Sequence, residues 1–312
     1  MRKKLTDEEF ISLWKRHGSA AAVQKATGMS VRGVLKRRHV LEGKGVTLMS
    51  DDIRSLKSPM PRTFVPDNRR VIQHEVKNGN VFIASDCHYW PGEETTAHKA
   101  FVKLLNEMKP QTIVLNGDVF DGARISRHEP LMGTNPPTAK QEIEACVDRL
   151  DESANASKNA RKFWTFGNHD VRLHRYIAMN APELTDALNL FDYFPGWLTS
   201  WRVDINDVIV KHRWHNGIHA TYNNTLKSGR SIVTGHLHRL QAATWADYNG
   251  RRWGVDSGTL AEPTGEQFVY TEMNPTPWAS GFVVLTFLDG KLLTPEFCEV
   301  LDGVAYFRGK PV

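Results

Sequence analysis

Five short apolar runs in this chain each end in side chains that can bind metal ions. The runs are rich in β-branched and aromatic residues, which is typical of β-strands. They are residues 81–85, followed by Asp86 and His88; 112–116, followed by Asp118; 163–166, followed by Asn168 and His169; 208–211, followed by His212; and 231–234, followed by His236 and His238. Strands of an α/β fold carry their functional side chains at their carboxyl ends. The repetition therefore predicts one site to which several strands contribute.

The order of the predicted elements favours two sheets of different kinds. Up to residue 166, strands alternate with helices predicted at 95–108 and 139–161, and this alternation predicts a mainly parallel sheet. From about Trp201 onward, successive strands are separated by turn signals such as Asn249-Gly250 and Asp289-Gly290. Because these signals are typical of hairpins, we expect the second sheet to be mostly antiparallel.

The composition is that of an ordinary globular protein, with 40% hydrophobic and 24% charged residues in a chain of 312. No apolar run approaches the roughly 18 residues that a membrane span requires, and the basic beginning lacks the apolar stretch of a secretory signal. Three widely spaced cysteines, Cys87, Cys146 and Cys298, argue against a disulfide framework. We expect a reduced, cytoplasmic setting without a membrane partner.

The positive charge of the chain is concentrated near its start. Residues 1–45 contain eleven Lys or Arg and four acidic residues, whereas the net charge of the whole chain is only +5. Cap-type residues at Thr6, Ser19 and Ser30 predict three short helices there. The third helix carries four basic residues: Arg32, Lys36, Arg37 and Arg38. The pattern resembles a helix-turn-helix unit with DNA as its partner; the alternative is a trihelical appendage whose charges are simply solvated.

Three segments follow from these patterns: a basic helix-turn-helix-like module at 1–45, a linker at 46–70 and a large domain at 71–312. The linker contains Pro59, Pro61 and Pro66 and has little hydrophobic periodicity. Residues 71–76 are predicted as a leading edge strand of the large domain.

The motifs of the large domain together resemble those of the calcineurin-like metallophosphoesterases. The resemblance covers roughly residues 78–300 and rests on the order and spacing of five motifs. They are Asp86-x-His88, Gly117-Asp118-x-x-Asp121, Gly167-Asn168-His169-Asp170, His212 and Gly235-His236-x-His238. The resemblance implies an α/β fold, a four-layer α/β/β/α sandwich, preceded here by a small all-α helical module.

The resemblance also implies a site with two divalent metal ions. Seven side chains would hold them: Asp86, His88 and His238 the first ion, Asn168, His212 and His236 the second, and Asp118 both. A metal-bridging hydroxide would attack phosphorus in line, His169 would protonate the leaving oxygen, and Asp170 would orient His169. Mixed imidazole and carboxylate ligands suit Mn²⁺, which we expect, with Fe, Zn, Ni or Mg as alternatives.

Some assignments around these motifs stay open. The fourth motif reads Lys211-His212-Arg213-Trp214-His215 where the family commonly has His-Gly, so His215 is an alternative to His212 as the ligand. Asp121 is expected to support a ligand through a hydrogen bond. Four basic residues are expected to bind the substrate phosphate: Arg124, Arg127, His128 and Arg172. The alternative for each of the arginines is an ordinary surface residue with a salt-bridge partner.

The second and third motifs resemble those of double-strand-break-repair nucleases and other phosphodiesterases more than those of the protein phosphatases. The segment Ile125-Ser126-Arg127-His128 also resembles phage- and bacterial-encoded phosphoesterases. For a phage-encoded chain, the expected cytoplasm would be that of an infected bacterial host. With a basic helical module in front, the favoured hypothesis is a nuclease or phosphodiesterase that acts on DNA. The alternatives are a phosphoesterase for nucleotides or other small phosphoesters, and a catalytically silent DNA-binding protein. The sequence does not predict the oligomeric state.

Overall fold

The computed structural model describes the chain in these segments: 5–17, 20–46, 48, 71–92, 94–126, 134–185, 187–272 and 274–312. The chain divides into two compact units, Met1–Arg62 and Thr63–Val312. Nearly all of the predicted linker at 46–70 lies outside the described residues. Within the described segments, no helix is long and apolar enough to cross a membrane.

The described residues of the first unit form three helices at nearly the residues expected from the sequence. They are α1 (Asp7–His17), α2 (Ala20–Thr27) and α3 (Val31–Gly43). Thr6 and Glu9 hydrogen-bond reciprocally at the start of α1, and the Ser30 hydroxyl accepts the Gly33 N–H at the start of α3. The helices share an apolar core made of Phe10, Trp14, Val23, Val34, Leu41 and Leu48. The unit therefore has a core of its own.

The described residues of the second unit form strands and helices, with strands predominating after Leu198. The strands are β1 (Val71–His74), β2 (Gly79–Ala84), β3 (Thr112–Leu115), β4 (Arg161–Thr165), β5 (Leu198–Ser200), β6 (Arg202–Ile205), β7 (Val208–Val210), β8 (Ser231–Thr234), β9 (Leu240–Asp247), β10 (Gly250–Ser257), β11 (Gly281–Leu288), β12 (Lys291–Leu292), β13 (Glu296–Leu301), β14 (Val304–Phe307) and β15 (Lys310–Pro311). The helices are α4 (Thr96–Met108), α5 (Ala139–Ala156), α6 (Arg172–Asn180) and α7 (Ala220–Ser228). Short 3₁₀ helices lie at Ala123–Ile125, Pro182–Leu184, Leu190–Tyr193 and Glu266–Thr271.

Two of the predicted helices of the second unit are preceded by capping residues. The Thr95 hydroxyl accepts the His98 N–H before α4, and Thr138 with Gln141 forms a capping box before α5. Helix α5 ends five residues before the predicted residue 161. The reason is a turn, closed by the Ala160 N–H and the Ser157 carbonyl at 3.1 Å, which leads directly into β4.

The strands form two sheets, and both sheets combine parallel and antiparallel pairs. The nine-stranded sheet has the order β15-β14-β13-β11-β2-β3-β4-β5, with β12 paired to β11. In this sheet β2 to β5 are parallel to one another, whereas β11 to β15 make antiparallel pairs. The two parts meet at the antiparallel pair of β11 and β2. The six-stranded sheet has the order β1-β6-β7-β8-β10-β9, with β1 at its edge as predicted.

The strands β2 to β4 are parallel as predicted, but the predicted division into one mainly parallel and one mostly antiparallel sheet is wrong, because β11 to β15 join the same sheet as β2 to β5. Five pairs of the nine-stranded sheet are antiparallel and three are parallel. In the six-stranded sheet three pairs are parallel and two antiparallel, because α7 returns the chain from β7 to a parallel β8. The Asn249-Gly250 turn does form the β9–β10 hairpin, but the Asp289-Gly290 turn joins β11 to β12 in the other sheet.

The sheets pack face to face on a valine-rich core. Along β2, Val81 and Ile83 face the six-stranded sheet, whereas Phe82 and Ala84 pack with α4 and α5 on the opposite side. Helix α7 covers the outer face of the six-stranded sheet. Gly254 in β10 permits this approach, since a Cβ there would collide with the backbone of α7. The layers are therefore α/β/β/α, as expected.

Candidate metal centre

The seven predicted metal ligands lie in loops that directly follow strands of both sheets. Two groups of these ligands have their ligand atoms within 4.8 Å of one another: Asp86, His88 and His238, and Asp118, His212 and His236. His88 forms a third such group with Asp121 and His169. Asp86, His88 and Asp118 follow strands β2 and β3 of the nine-stranded sheet. His212, His236 and His238 follow strands β7 and β8 of the six-stranded sheet. Each of the first two groups thus draws on both sheets. Asn168 follows β4, and its Oδ1 is buried without a hydrogen-bond partner among the described residues.

Three glycines precede candidate ligands and let the loops approach one another. A Cβ at Gly167 would collide with Asp118, and a Cβ at Gly117 would collide with the His212 imidazole. At Gly235 a Cβ would lie 2.6 Å from Asp86 Oδ2. A larger residue at any of the three would push two ligand loops apart, so the glycines are part of the site.

Five of the seven candidate ligands have a left-handed backbone. The φ angles are 50° at Asp86, 40° at His88, 52° at Asp118, 72° at His236 and 55° at His238. Such conformations cost non-glycine residues about 1–3 kcal/mol each and persist where the surrounding structure requires them, as at functional sites. The concentration of this backbone strain at one place is independent support for a functional centre.

The buried polar atoms of the two groups fit divalent cations. Five side-chain atoms of the candidate ligands are buried and have no hydrogen-bond partner in the described part of the chain: Asp86 Oδ1, His88 Nε2, Asn168 Oδ1, His212 Nε2 and His238 Nδ1. His212 Nε2 lies 3.1 Å from Asp118 Oδ2, and His238 Nε2 lies 3.1 Å from Asp86 Oδ1. Unpartnered buried polar atoms are costly. Imidazole, carboxylate and amide oxygen together suit divalent cations of the first transition row, so the residues present fit two such ions.

The charges of the groups interact strongly. Burial would raise the pKa of Asp118, but His212 and His169 outweigh burial and hold this pKa well below its usual value. Burial would lower the pKa of His212, but Asp118 and Asp86 raise it to about 10. Burial and the neighbouring His212 lower the pKa of His236 to about 4. The carboxylates are therefore ionised at neutral pH, as metal ligands must be.

Asp121 joins a candidate ligand to the predicted catalytic histidine. Its Oδ1 accepts hydrogen bonds from His88 Nδ1 at 2.8 Å and from His169 Nδ1 at 2.7 Å. Burial would lower the pKa of His169, but the Asp118 and Asp121 carboxylates raise it. Arg172 donates to the Asp121 carbonyl at 2.9 Å and lies 3.0 Å from His169 Nε2. The ligand-supporting hydrogen bond expected for Asp121 is present, and it serves two imidazoles.

The predicted role of Asp170 in orienting His169 is wrong. The Asp170 carboxylate is fully buried and accepts four backbone N–H groups, from Gly167, Asp118, Val119 and Phe120, together with the Trp164 indole N–H. These donors occupy the carboxylate, and Asp121 holds the His169 ring instead. Asp170 therefore ties the loop after β3 to the loop after β4, which positions Asp118 beside Asn168.

The structure separates the other residues predicted for this site. His212 belongs to a ligand group. The backbone N–H of His215 donates to Asn224 Oδ1, and the His215 ring packs against Trp214. Arg172 lies beside His169. Arg124 is exposed and donates to Asn135 Oδ1 at 2.9 Å and to the Pro136 carbonyl at 2.6 Å. Arg127 and His128 lie outside the described residues.

The four basic residues predicted to bind DNA fall into two pairs. Arg37 donates to the Leu5 carbonyl at 2.6 Å and pairs with Asp7, and Arg38 pairs with Glu42 at 2.7 Å. Arg37 and Arg38 also lie over the rings of Phe10 and Trp14 respectively, so both contribute to packing within the module. The other two, Arg32 and Lys36, are exposed on α3.

Aromatic side chains pack against the first ligand group, and the sequence analysis did not find them. The Phe268 ring lies 5.3 Å from His88 and 5.4 Å from His238, and the Trp278 ring lies 4.6 Å from His238. Phe268 is about 180 residues from His88 in a short 3₁₀ helix, so neither a strand nor a motif marks it in the sequence. These rings hold the flat imidazoles in place.

The chain is similar in sequence to known proteins. The family model described as calcineurin-like phosphoesterase matches residues 79–255, which contain all seven candidate ligands. The Gene 54 protein of Mycobacterium phage L5 is 26% identical over 247 residues, which are 72% of this chain and 94% of that protein. Among solved structures, Yfce, a phosphoesterase from E. coli, is 17% identical with a TM-score of 0.33, and the similarity covers 69% of this chain and 97% of that chain.

Proposed function

This chain belongs to the calcineurin-like phosphoesterase family, and from this premise we propose that it hydrolyses phosphodiester bonds of DNA with the help of two divalent metal ions. The observation that carries the proposal is the position of Asp118. Its Oδ2 lies 3.1 Å from His212 Nε2 in a ligand group and 3.8 Å from Nε2 of His169. A cation-binding carboxylate and a proton-carrying imidazole are thus neighbours.

The two ligand groups would each hold one ion, with Asn168 completing the second group and Asp118 between them. We propose Mn²⁺ as the ion, since imidazole and carboxylate ligands occur together here. Divalent ions bound in this way supply positive charge to phosphoryl oxygens and lower the pKa of coordinated water.

His169 is the proton donor to the leaving oxygen. The pKa of His169 is raised, although burial opposes this, because the carboxylates of Asp118 and Asp121 favour the imidazolium. Asp121 accepts the Nδ1 proton, so Nε2 is the atom that faces Asp118 and the ligand groups. A proton held at Nε2 can pass to the leaving oxygen of a phosphodiester, which would otherwise depart as an unstable alkoxide.

Arg172 binds the phosphate in this proposal. A guanidinium and a doubly protonated imidazole are both donors only, so the 3.0 Å contact between Arg172 and His169 Nε2 requires an unprotonated Nε2. When His169 is protonated, Arg172 must turn to another acceptor. A phosphate oxygen beside the ligand groups is the acceptor that suits a guanidinium best.

DNA is the proposed substrate because of the first unit. Its three helices and basic excess resemble a DNA-binding module, and Arg32 and Lys36 leave two cations of α3 exposed. The filled ligand positions and the presence of His169 argue against a catalytically silent protein. Nucleotides and other small phosphoesters are the alternative substrates, and the experiment below distinguishes them.

The test is cleavage of end-labelled single- and double-stranded DNA in the presence of Mn²⁺. We compare the intact protein with His169→Ala and Asp118→Asn, and we use His219→Ala, an exposed histidine at the start of α7, as the matched control. The intact protein and the control should cut DNA, and the other two variants should lose the activity while circular dichroism shows a retained fold. Chelation of the metal should abolish cutting.

Two results would contradict the proposal. Metal-dependent hydrolysis of a nucleotide or a simple phosphoester, without any cutting of DNA, would reject the DNA substrate and leave phosphoester hydrolysis standing. Inactivity on every phosphoester, together with measured metal binding, would favour a silent DNA-binding protein.

A further inference from the structure

An aromatic layer next to the ligand groups ends in one exposed ring. Phe268 is buried, and its ring lies 5.0 Å from that of Trp278 and against the imidazoles of His88 and His238. Packing on metal ligands is a sufficient role for these two rings, since it fixes the orientation of the imidazoles. Tyr270 lies two residues further along the same 3₁₀ helix and contacts neither imidazole among the ring contacts of the described residues.

The position of Tyr270 differs from that of the other rings. Its ring centroid lies 6.3 Å from that of Phe268, nearly perpendicular to it, and 60% of the residue is exposed. Its hydroxyl has no hydrogen-bond partner within the described segments. An exposed tyrosine without such a partner contributes little to the packing of the ligands.

Tyr270 is nevertheless within electrostatic reach of the centre. Partial burial raises its pKa first, and the negative charge of Asp121 raises it further, while the Arg172 guanidinium acts in the opposite direction. Asp118 and Asp86 add smaller effects of the same sign as Asp121. The ring also packs on Phe268, which packs on the His88 imidazole, so Tyr270 stands at the rim of the centre.

We propose that Tyr270 is a stacking platform for the nucleobase next to the phosphate at the metal centre, so that the substrates are nucleotidyl phosphodiesters. This inference rests on the proposed phosphodiesterase function. Arg172 would hold the phosphate and Tyr270 the base attached to it through the sugar. Arg172 donates to the carbonyl of Asp121, the hydrogen-bond partner of His88, and Tyr270 reaches the same imidazole through Phe268. Stacking on a tyrosine ring accepts any base, so Tyr270 selects for a base without selecting its identity.

The test compares two substrates that share one leaving group. Thymidine 5′-(4-nitrophenyl phosphate) carries a base, and methyl 4-nitrophenyl phosphate carries none; both are phosphodiesters that release 4-nitrophenolate. The full chain is assayed with Mn²⁺ as the intact protein, Tyr270→Leu and Tyr270→Phe. Tyr248→Leu is the matched control, because Tyr248 is a fully exposed tyrosine in the turn between β9 and β10.

If Tyr270 stacks on a base, its replacement should lower activity only on the substrate that carries a base. Tyr270→Leu should lower kcat/KM for the thymidine ester about tenfold, which corresponds to the stacking of one base. The same variant should leave kcat/KM for the methyl ester unchanged. Tyr270→Phe keeps an aromatic face and should retain most of the activity on both esters, and Tyr248→Leu should change neither.

Equal losses on the two esters, or no loss on either, would overturn the platform while leaving the phosphodiesterase intact. If the intact protein hydrolyses neither ester, the proposed function fails, and binding then decides the inference separately. In that case calorimetric titration of the Mn²⁺-loaded protein with thymidine 5′-phosphate and with methyl phosphate replaces the rate assay. Weaker binding of the thymidine compound alone by Tyr270→Leu supports the platform, and unchanged binding of both rejects it.

Discussion

Oδ1 of Asp121 lies 2.7 Å from Nδ1 of His169, and the same oxygen lies 2.8 Å from Nδ1 of His88. One buried carboxylate oxygen thus sets the tautomers of two imidazoles. His88 is left with Nε2 for a cation, and His169 is left with Nε2 for the substrate. A change at Asp121 should therefore affect metal binding and proton transfer together.

Asp121→Asn should lower kcat on DNA by about 10- to 100-fold, the usual effect of losing a carboxylate that orients a ligand or catalytic group. Asp121 helps to raise the pKa of His169, so this pKa should be lower in the variant. The alkaline limb of the pH–rate profile should therefore move to lower pH. A pH–rate profile measures both effects. Asp151→Asn, an exposed acid on α5, is the control. An unchanged alkaline limb would mean that His169 does not donate the proton.

Metal binding should release a proton from His212. Its pKa is raised to about 10 in the metal-free protein, because Asp118 and Asp86 outweigh the effect of burial, whereas a ligand imidazole must be neutral. Near pH 8 we expect His212 to release about one proton for each ion that binds to the group of Asp118, His212 and His236. Calorimetric titration with Mn²⁺ in buffers of different ionisation enthalpy measures it. His212→Gln should abolish this release and weaken binding, and His219→Gln should change neither; equal release by both variants would contradict the assignment.

Glu142 should make the protein less stable as pH rises. Burial and the nearby Asp121 raise its pKa from 4.5 to about 8, although the Gly122 and Ala123 N–H groups oppose this. A raised carboxyl pKa means that the folded state binds the extra proton, so its contribution to stability is complete below about pH 4.5 and is lost as pH rises through about 8.

The free energy of unfolding should accordingly fall by about 2–3 kcal/mol between roughly pH 6 and pH 8, one pKa unit being about 1.4 kcal/mol. Denaturant titrations of the metal-free protein measure the difference. In Glu142→Gln this part of the pH dependence should vanish. Glu144→Gln, an exposed residue on the same helix, should keep it. Identical pH dependence in the two variants would assign the effect to another group.

Arg32 and Lys36 should carry the salt dependence of DNA binding by the first unit. Replacement of both by Ala should weaken binding and reduce the slope of log affinity against log salt by about two, one for each phosphate contact. The control removes two exposed lysines of the second unit, Lys291 and Lys310. Arg37 and Arg38 are unsuitable for this test because they pack within the module. Equal slopes for the two double variants would argue against DNA binding by α3.

The positions of the candidate ligands could be predicted because each follows an apolar run that must be a strand. Parallel pairing places Asp86 near Asp118 at the end of one sheet and His212 near His236 at the end of the other. The choice of His212 over His215 follows the same logic, since His212 comes closest to the end of β7.

Other features depend on contacts that spacing does not encode. Asp170 looked like a partner for the adjacent His169, but its donors come from the loop after β3 and from Trp164. The Asp289-Gly290 turn signals a hairpin, but not which sheet that hairpin joins. Tyr270 reaches the rim of the centre through a 3₁₀ helix with no periodic pattern of its own. In each case the partner is chosen by tertiary packing.

Each ligand group combines residues of both sheets, and this has a mechanical consequence. Asp86 and His88 follow a strand of one layer and His238 follows a strand of the other, and the second group crosses the same boundary. An ion bound in either group would cross-link the two sheets. Two such cross-links side by side would prevent the sheets from rotating as well as from sliding against each other. The valines between the sheets resist separation but offer little resistance to shear, because apolar contacts are not directional. The metal-free protein should therefore be more easily sheared at the interface between the two sheets. Metal binding should make this interface more rigid without moving the outer helices.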